Sequence, residues 1–242
     1  MHQATESVRT HQHSSAPDPH PLRADEIPII FLSGMATDER LFESQLAAFP
    51  NMRVQSWVAP VRGESLRAYA ARIATQVDPG RPCIVGGASF GGVVALELAT
   101  HVQALGCILI GSIRSPAGLP RRWRLLRPVA WLGPDALRVL AGFVAGLGRP
   151  LLSASAVRSL RRLAQPKAAF ERWAMCALLR WRPSSDTGSV RVFHIHGAAD
   201  RVLPVELGCP DVVVPGGSHA LPLFSPSAVN EFIARAVEQL FV

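Results

Sequence analysis

Ser89 stands in the run Gly86-Gly87-Ala88-Ser89-Phe90-Gly91-Gly92, with four glycines and an alanine around one hydroxyl. Such a run could form a flexible loop or cradle a phosphate. A phosphate-binding loop, however, ends in Gly-Lys followed by Ser or Thr, and the dinucleotide spacing G-x-G-x-x-G fits no frame of it. What remains is G-x-S-x-G, from Gly87 to Gly91. A sharp turn from strand to helix needs small residues two before and two after its apex, because neighbouring backbone passes closely there. The apex residue then protrudes, and the helix N-terminus behind it favours developing negative charge. A serine hydroxyl is a weak nucleophile until a histidine takes its proton. That histidine in turn needs a carboxylate to fix its tautomer and steady the imidazolium.

Two later loops offer these partners. The stretch "HIHGAADRVLP" puts Asp200 just past the end of an apolar run, and "DVVVPGGSHAL" puts His219 beyond the next one. The order Ser89, Asp200, His219 is the order required when the nucleophile follows a central strand and its acid and base follow later ones. Other histidines fit poorly. His101 ends a helix, His2, His11, His13 and His20 lie in an N-terminal tail, and His194 and His196 sit within or at the end of a strand. For the acid, Asp211 precedes a strand and belongs at the opposite sheet edge, while Glu206 stands in reserve. His194, His196 and Asp200 also suggest a metal run, since residues i and i+2 of a strand share a face. No further histidine follows, so an open metal site is not completed. The pair is expected to be packed or hydrogen-bonded, and neither metal nor cofactor is expected.

The scaffold that must position these residues is visible in the hydrophobic pattern. Apolar runs "IPIIFLSG", "RVQSWVAP", "PCIVGGAS", "LGCILIGS", "VRVFHIHG" and "DVVVPGG" are separated by helical patterns such as "LFESQLAAF", "LRAYAARIATQV" and "SAVNEFIARAVEQLF". Short apolar strands alternating with helices argue for the α/β class, a mostly parallel sheet covered by helices on both faces. Strand-to-helix loops in such sheets usually span about 2 to 6 residues. The much longer gap between "LGCILIGS" and "VRVFHIHG" therefore predicts an inserted helical subdomain. Within it Phe170, Trp173, Ala174, Ala177, Leu178 and Trp181 line one helix face. "SAVRSLRRLAQ" sets Val157, Leu160, Leu163 and Ala164 on one side and Arg158, Arg161 and Arg162 on the other. An apolar underside with a basic top describes a lid. The expected organisation is a disordered tail over 1–26, a core over 27–112 and 190–242, and a helical, Arg-rich lid over 113–189.

With 242 residues, 48% of them hydrophobic, the chain has material for one large core. No stretch approaches the roughly 18 uninterrupted apolar residues of a spanning helix, so a soluble or at most peripheral protein is expected. The tail lacks the apolar segment of a secretory signal. Cys83, Cys107, Cys176 and Cys209 form no C-x-x-C pair and read as structural thiols of a reducing compartment, hence a cytoplasmic location. The formal net charge is +7. From 112 to 190 thirteen arginines and one lysine face only Asp135, Glu171 and Asp186, a local charge of +11 that leaves the rest of the chain at −4. These arginines lie on helical stripes with no groove-reading motif or stacking platform, which speaks against nucleic acid.

Through G-A-S-F-G, H-G-A-A-D-R-V-L-P and G-G-S-H the chain resembles the α/β-hydrolase family from about Ile27 to Val242, the inserted segment being only loosely comparable. The resemblance implies that Ser89 is the nucleophile, His219 the base and Asp200 the orienting acid. It also implies an oxyanion hole built from the backbone N–H groups of Met35, in "LSGMATDERLF", and Phe90. The implied reaction is hydrolysis of an ester or thioester through an acyl-enzyme on Ser89. The same triad in the family also supports C–C hydrolysis, lyase and acyl-transfer chemistry. Epoxide hydrolases and haloalkane dehalogenases usually carry an aspartate at the elbow, so serine disfavours them. A noncatalytic scaffold, or a binder of anions or nucleic acid, is the reading of another class. Three departures stand out: Ser33-Gly34 where many members have His-Gly, a short interval between Asp200 and His219 that reduces the usual helix to a turn around "PVELGCP", and no hairpin ahead of "IPIIFLSG", which leaves six strands. Besides a small-molecule substrate, the basic lid is expected to face an anionic partner. Candidates are an acidic acyl-carrier protein, as for the carrier-protein methyl-ester esterases of the family, or an anionic membrane surface.

Overall fold

The computed structural model describes residues 23–147, 154, 158, 161 and 168–241. The apolar runs form strands β1 (Ile29–Leu32), β2 (Met52–Gln55), β3 (Cys83–Ala88), β4 (Ala104–Ile110), β5 (Val192–Gly197) and β6 (Val212–Val214). They pair in the order β2-β1-β3-β4-β5-β6, every pairing parallel. Every residue of β1 and β3 is buried. Covered on both faces, these strands read as unbroken apolar runs rather than alternating ones. Among the described residues the sheet has six strands.

Between the strands lie α1 (Glu43–Ala48), α2 (Leu66–Val77) and α3 (Phe90–Leu98). Successive side chains of a strand point to opposite faces. Ile30, Leu32, Val85 and Leu109 accordingly pack with α2 and α3. Ile29, Phe31, Ile84 and Ile108 pack on the other side with α8 (Leu221–Phe224) and α9 (Pro226–Glu238), through Leu221, Phe232 and Ile233. Helix α3 is buried along its whole length, which explains its Gly, Val, Ala and Leu content. The exception is Glu97, fully buried. Its carboxylate accepts from Trp181 Nε1 at 2.7 Å and Ser184 N at 3.2 Å, the kind of partner a buried polar group requires.

The chain leaves β1 toward β2, then crosses back to pair β3 on the other side of β1. At such a reversal the loops beyond the carboxyl ends of the two strands diverge and open the crevice where α/β sheets bind ligands. Those loops carry Gly34 and Ser89.

Between β4 and β5 the chain forms α4 (Arg121–Arg124), α5 (Arg127–Leu132), α6 (Pro134–Leu147) and α7 (Ala169–Arg180). Helix α7 buries Trp173, Ala174, Ala177 and Leu178, with Trp181 buried just past its end, and packs on α2 and α3. That is the face expected from its spacing. The helix read from "SAVRSLRRLAQ" falls mostly outside the described residues. Arg158 and Arg161 are helical and exposed, and Arg162 lies outside them.

Two details differ from expectation. Ala24–Glu26 form a 3-10 turn and Ile27 is buried, so residues 24–26 are structured rather than part of the tail. The tail before residue 23 lies outside the described residues. Cys83, Cys107 and Cys176 are buried and free as expected, whereas Cys209 is exposed. It occupies a left-handed backbone position with φ of 45°, in the tight connection that replaces a full helix between β5 and β6. That connection is a 3-10 turn over Val205–Leu207, as the short interval implied. Among the described residues no helix is long and apolar enough to cross a membrane.

Candidate active site

Ser89 joins β3 to α3 with φ 54° and ψ −121°, a conformation that residues with a Cβ rarely adopt. Its surroundings over-determine it. Ser89 N donates to the carbonyl of Ile110 at 3.0 Å, and the Ser89 carbonyl accepts from Ser112 Oγ at 2.7 Å and Gly92 N at 3.1 Å. A Cβ on Gly91 would run into the carbonyl oxygens of Leu32 and Ser33, and one on Gly87 would meet Leu32 and the backbone of Gly91. The two flanking glycines are thus required by the close passage of β1.

The elbow aims the half-buried Ser89 at the loop after β6. Ser89 Oγ lies 2.9 Å from His219 Nε2, and His219 Nδ1 lies 2.7 Å from Asp200 Oδ2. Because the carboxylate only accepts, Nδ1 carries the ring hydrogen and Nε2 is left free to take a proton from Ser89. The Asp200 side chain is fully buried, while a quarter of the His219 side chain remains exposed. Asp200 Oδ1 accepts from Val202 N at 2.8 Å and Leu203 N at 2.9 Å. Burial alone pushes the Asp200 carboxyl up. Hydrogen bonds from His196 and His219, the charge interaction with His219 and the Leu203 N–H outweigh it and hold the carboxyl well below the usual carboxylate range. The geometry therefore brings together the three residues expected from the sequence. Glu206 is exposed in the 3-10 turn, and Asp211 binds His194 N and Arg114 instead.

The loop after β1 is fastened just as firmly. The Gly34 carbonyl accepts from Thr37 N at 3.2 Å, Thr37 Oγ1 at 3.1 Å and Trp57 Nε1 at 3.1 Å. In a planar trans peptide the following N–H points away from the carbonyl, so these donors turn the Met35 N–H to the opposite side. Gly34 itself faces the elbow: a Cβ there would sit 3.9 Å from Ser89 Cβ. The Phe90 N–H, in the first turn of α3, has no intrahelical acceptor. Ser33, the departure from His-Gly, closes the same loop by donating from Oγ to the Thr37 carbonyl at 2.9 Å.

Beside the elbow, Phe90 packs against Trp57 at 5.5 Å, Trp173 at 6.2 Å and Phe170 at 6.4 Å between ring centroids. Met35, Trp57 and Phe170, each half-buried, join the same cluster and form an apolar wall. A separate cavity of about 380 Å³ opens at the insertion, lined by Arg67, Trp131, Arg180, Trp181 and Arg182 among others, without Ser89.

Sequence reasoning missed the supporting residues: Ser112, Thr37, Trp57 and the link from His196 to Asp200. The His196 contact had a signal, a strand-end histidine four residues ahead of the acid. Trp57, far from Gly34 in sequence and next to it in space, had none.

The profile of the Alpha/beta hydrolase family matches residues 29–232. No curated protein is a significant match in sequence. Among solved structures, a thermophilic esterase from Thermogutta terrifontis, malate bound, shares 21% identity over 89% of this chain and 91% of its own, with a TM-score of 0.59. The NocB thioesterase domain, in covalent complex with a fluorophosphonate nocardicin G analog, shares 19% identity over 87% and 94%, with a TM-score of 0.55. Novel epoxide hydrolases from metagenomes of hot environments give 17% identity over 91% and 92%, with the same TM-score of 0.55. At these identities the neighbours speak for the fold, and the breadth of their chemistry illustrates how one scaffold hosts several reactions. With most of its length matched by one family profile, the chain belongs to the α/β-hydrolase family.

Proposed function

We propose that the protein hydrolyses a carboxylic ester or thioester through an acyl-enzyme on Ser89. The observation that carries this reading is the unbroken hydrogen-bonded line from Ser89 Oγ through His219 to Asp200. In the first step Oγ attacks the carbonyl carbon while His219 Nε2 takes its proton. The oxygen that becomes negative accepts from the N–H groups of Met35 and Phe90. Collapse of the tetrahedral intermediate breaks the ester or thioester bond, and His219 returns the proton to the departing alcohol or thiol. A water then repeats the sequence on the acyl group, with His219 as base, and frees Ser89. A serine at the elbow supports this route over one that begins from an aspartate nucleophile. Structural neighbours described as an esterase and a thioesterase are in keeping with it.

The inserted helices serve in this reading as the lid, with Phe170 and Trp173 bordering the acyl site and exposed arginines such as Arg121, Arg138 and Arg182 facing outward. Their charge suits a substrate delivered on an acidic carrier protein or at an anionic membrane surface. Three buried thiols suit a reducing, cytoplasmic setting.

Labelling with a fluorophosphonate probe followed by peptide mapping tests the mechanism. One adduct on Ser89, absent in Ser89→Ala, is expected. A folded protein that takes no label would instead be a noncatalytic scaffold. A panel of esters and thioesters graded in chain length and leaving group then identifies the substrate class.

A further inference from the structure

His194 and His196 were singled out by the sequence and take no part in the reaction described so far. Both side chains are completely buried on β5, His194 in its middle and His196 next to its end. Their nitrogens are joined end to end toward the candidate site. His196 Nε2 lies 3.1 Å from Asp200 Oδ2 and 2.8 Å from the Leu203 carbonyl oxygen. His196 Nδ1 lies 3.1 Å from His194 Nε2.

We infer that His196, backed by His194, is a positioning residue of this site: its ring N–H holds the same Asp200 oxygen that His219 uses. The inference rests on the hydrolase reading above. Its chemistry follows from what each neighbour can do. Asp200 Oδ2 and the Leu203 carbonyl both only accept, so His196 Nε2 bears the hydrogen and shares it between them. A neutral imidazole has one ring hydrogen, which leaves Nδ1 bare to accept from His194 Nε2–H. His194 is then also an Nε2–H tautomer with a bare Nδ1, in keeping with the absence of any hydrogen-bond partner for that atom among the described residues. Burial first, and then His196 and Arg114, push the His194 ring down to about 3, while the nearby carbonyls of Gly208 and Ser112 act in the opposite direction. Arg114 is itself ion-paired to Asp211 at 2.6 Å. The His194 ring therefore stays neutral at neutral pH and keeps donating to His196.

This arrangement gives Asp200 four donors, which matches the acceptor capacity of a carboxylate. Turning its plane would break all of them at once, so the oxygen facing His219 is fixed before substrate arrives. The second N–H on Oδ2 also withdraws negative charge that would otherwise be directed wholly at His219. Without it the imidazolium is favoured, and His219 surrenders its proton less readily.

The test uses the full chain. Ring ¹⁵N chemical shifts of the resting protein report tautomers without turnover, and both His194 and His196 are expected as Nε2–H. In His196→Phe the rate of Ser89 phosphonylation by a fluorophosphonate should fall about 10- to 100-fold at neutral pH, the effect of losing one hydrogen bond to a charged group. The acid limb of its pH profile should also move to higher pH. His196→Gln, whose amide nitrogen reaches the position of Nε2, should restore both rate and limb. Three results would overturn the inference: His196 as Nδ1–H, wild-type rate and limb in a folded Phe variant, or equal losses in folded Phe and Gln variants. If the parent protein takes no label at Ser89, the hydrolase reading fails, and the ¹⁵N shifts still decide how Asp200 is held.

Discussion

Around Ser89 the Gly34 carbonyl and the Asp200 carboxylate are each tied from several directions, whereas the helices inserted after β4 leave large apolar side chains in water. The Gly34 carbonyl has three donors and Asp200 four. In α5 and α6, by contrast, Trp131 and Val139 are 64% exposed and Leu132 is 78% exposed, with Leu125 just ahead of them at 80%. Under the proposed function, the first region holds atoms still so that charge can develop against donors already aimed. The second presents apolar area and arginines to whatever approaches. On that same reading, bond-making and substrate choice would fall to different parts of the chain, and each could be altered with the other left intact.

Ser89→Ala tests the first region most severely. Loss of the nucleophile should reduce kcat by about 10⁴- to 10⁶-fold in a protein that unfolds at an unchanged temperature. Asp200→Asn comes next, with a loss of about 10³- to 10⁴-fold, because His219 loses both its fixed tautomer and its counter-charge. Glu206→Gln should leave the rate unaltered in the same assay; the reverse ranking would transfer the acid role from Asp200 to Glu206. Trp57→Phe removes one of three donors to the Gly34 carbonyl and should lower kcat about 3- to 10-fold with little change in KM, since the Met35 N–H matters most when the oxyanion forms.

The mildest change addresses the second region. Charge reversal at Arg158, Arg161 and Arg162 should raise KM for a carrier-bound or vesicle-borne ester roughly 3- to 10-fold at low salt. The effect should fade as the Debye length shortens to about 8 Å at physiological salt. Turnover of a small neutral ester should be unchanged. Equal loss on both substrates would assign these arginines to holding the insertion together and dissolve the division of labour.

The same contrast explains what could be read in advance. Strands such as "IPIIFLSG" and the pentapeptide around Ser89 are local patterns, dictated by burial on both sheet faces and by the closeness of β1 to the elbow. The order of Ser89, Asp200 and His219 follows from which strand ends meet at one edge, so it too was legible. Trp57 bonding to Gly34 and Glu97 holding Trp181 join residues remote in sequence, and neither side announces the other. Glu97 even sits in a run that otherwise reads as wholly apolar, and its donors Trp181 and Ser184 reach it only after folding brings the end of α7 across. Cys209 read as a packing thiol because composition does not reveal that a shortened connection twists it into a left-handed turn.

The backbone at Ser89 sets the needs of the reaction against those of the fold. Its positive φ costs a residue with a Cβ on the order of 1 to 3 kcal/mol, a penalty that glycine largely escapes. Ser89→Gly and Ser89→Ala are expected to be equally inert, yet the glycine variant should melt at the higher temperature despite its greater loss of chain entropy on folding. Position 89 is then a site where random drift under selection for stability alone would discard the hydroxyl. Its presence there marks a residue kept against the grain of the scaffold that displays it.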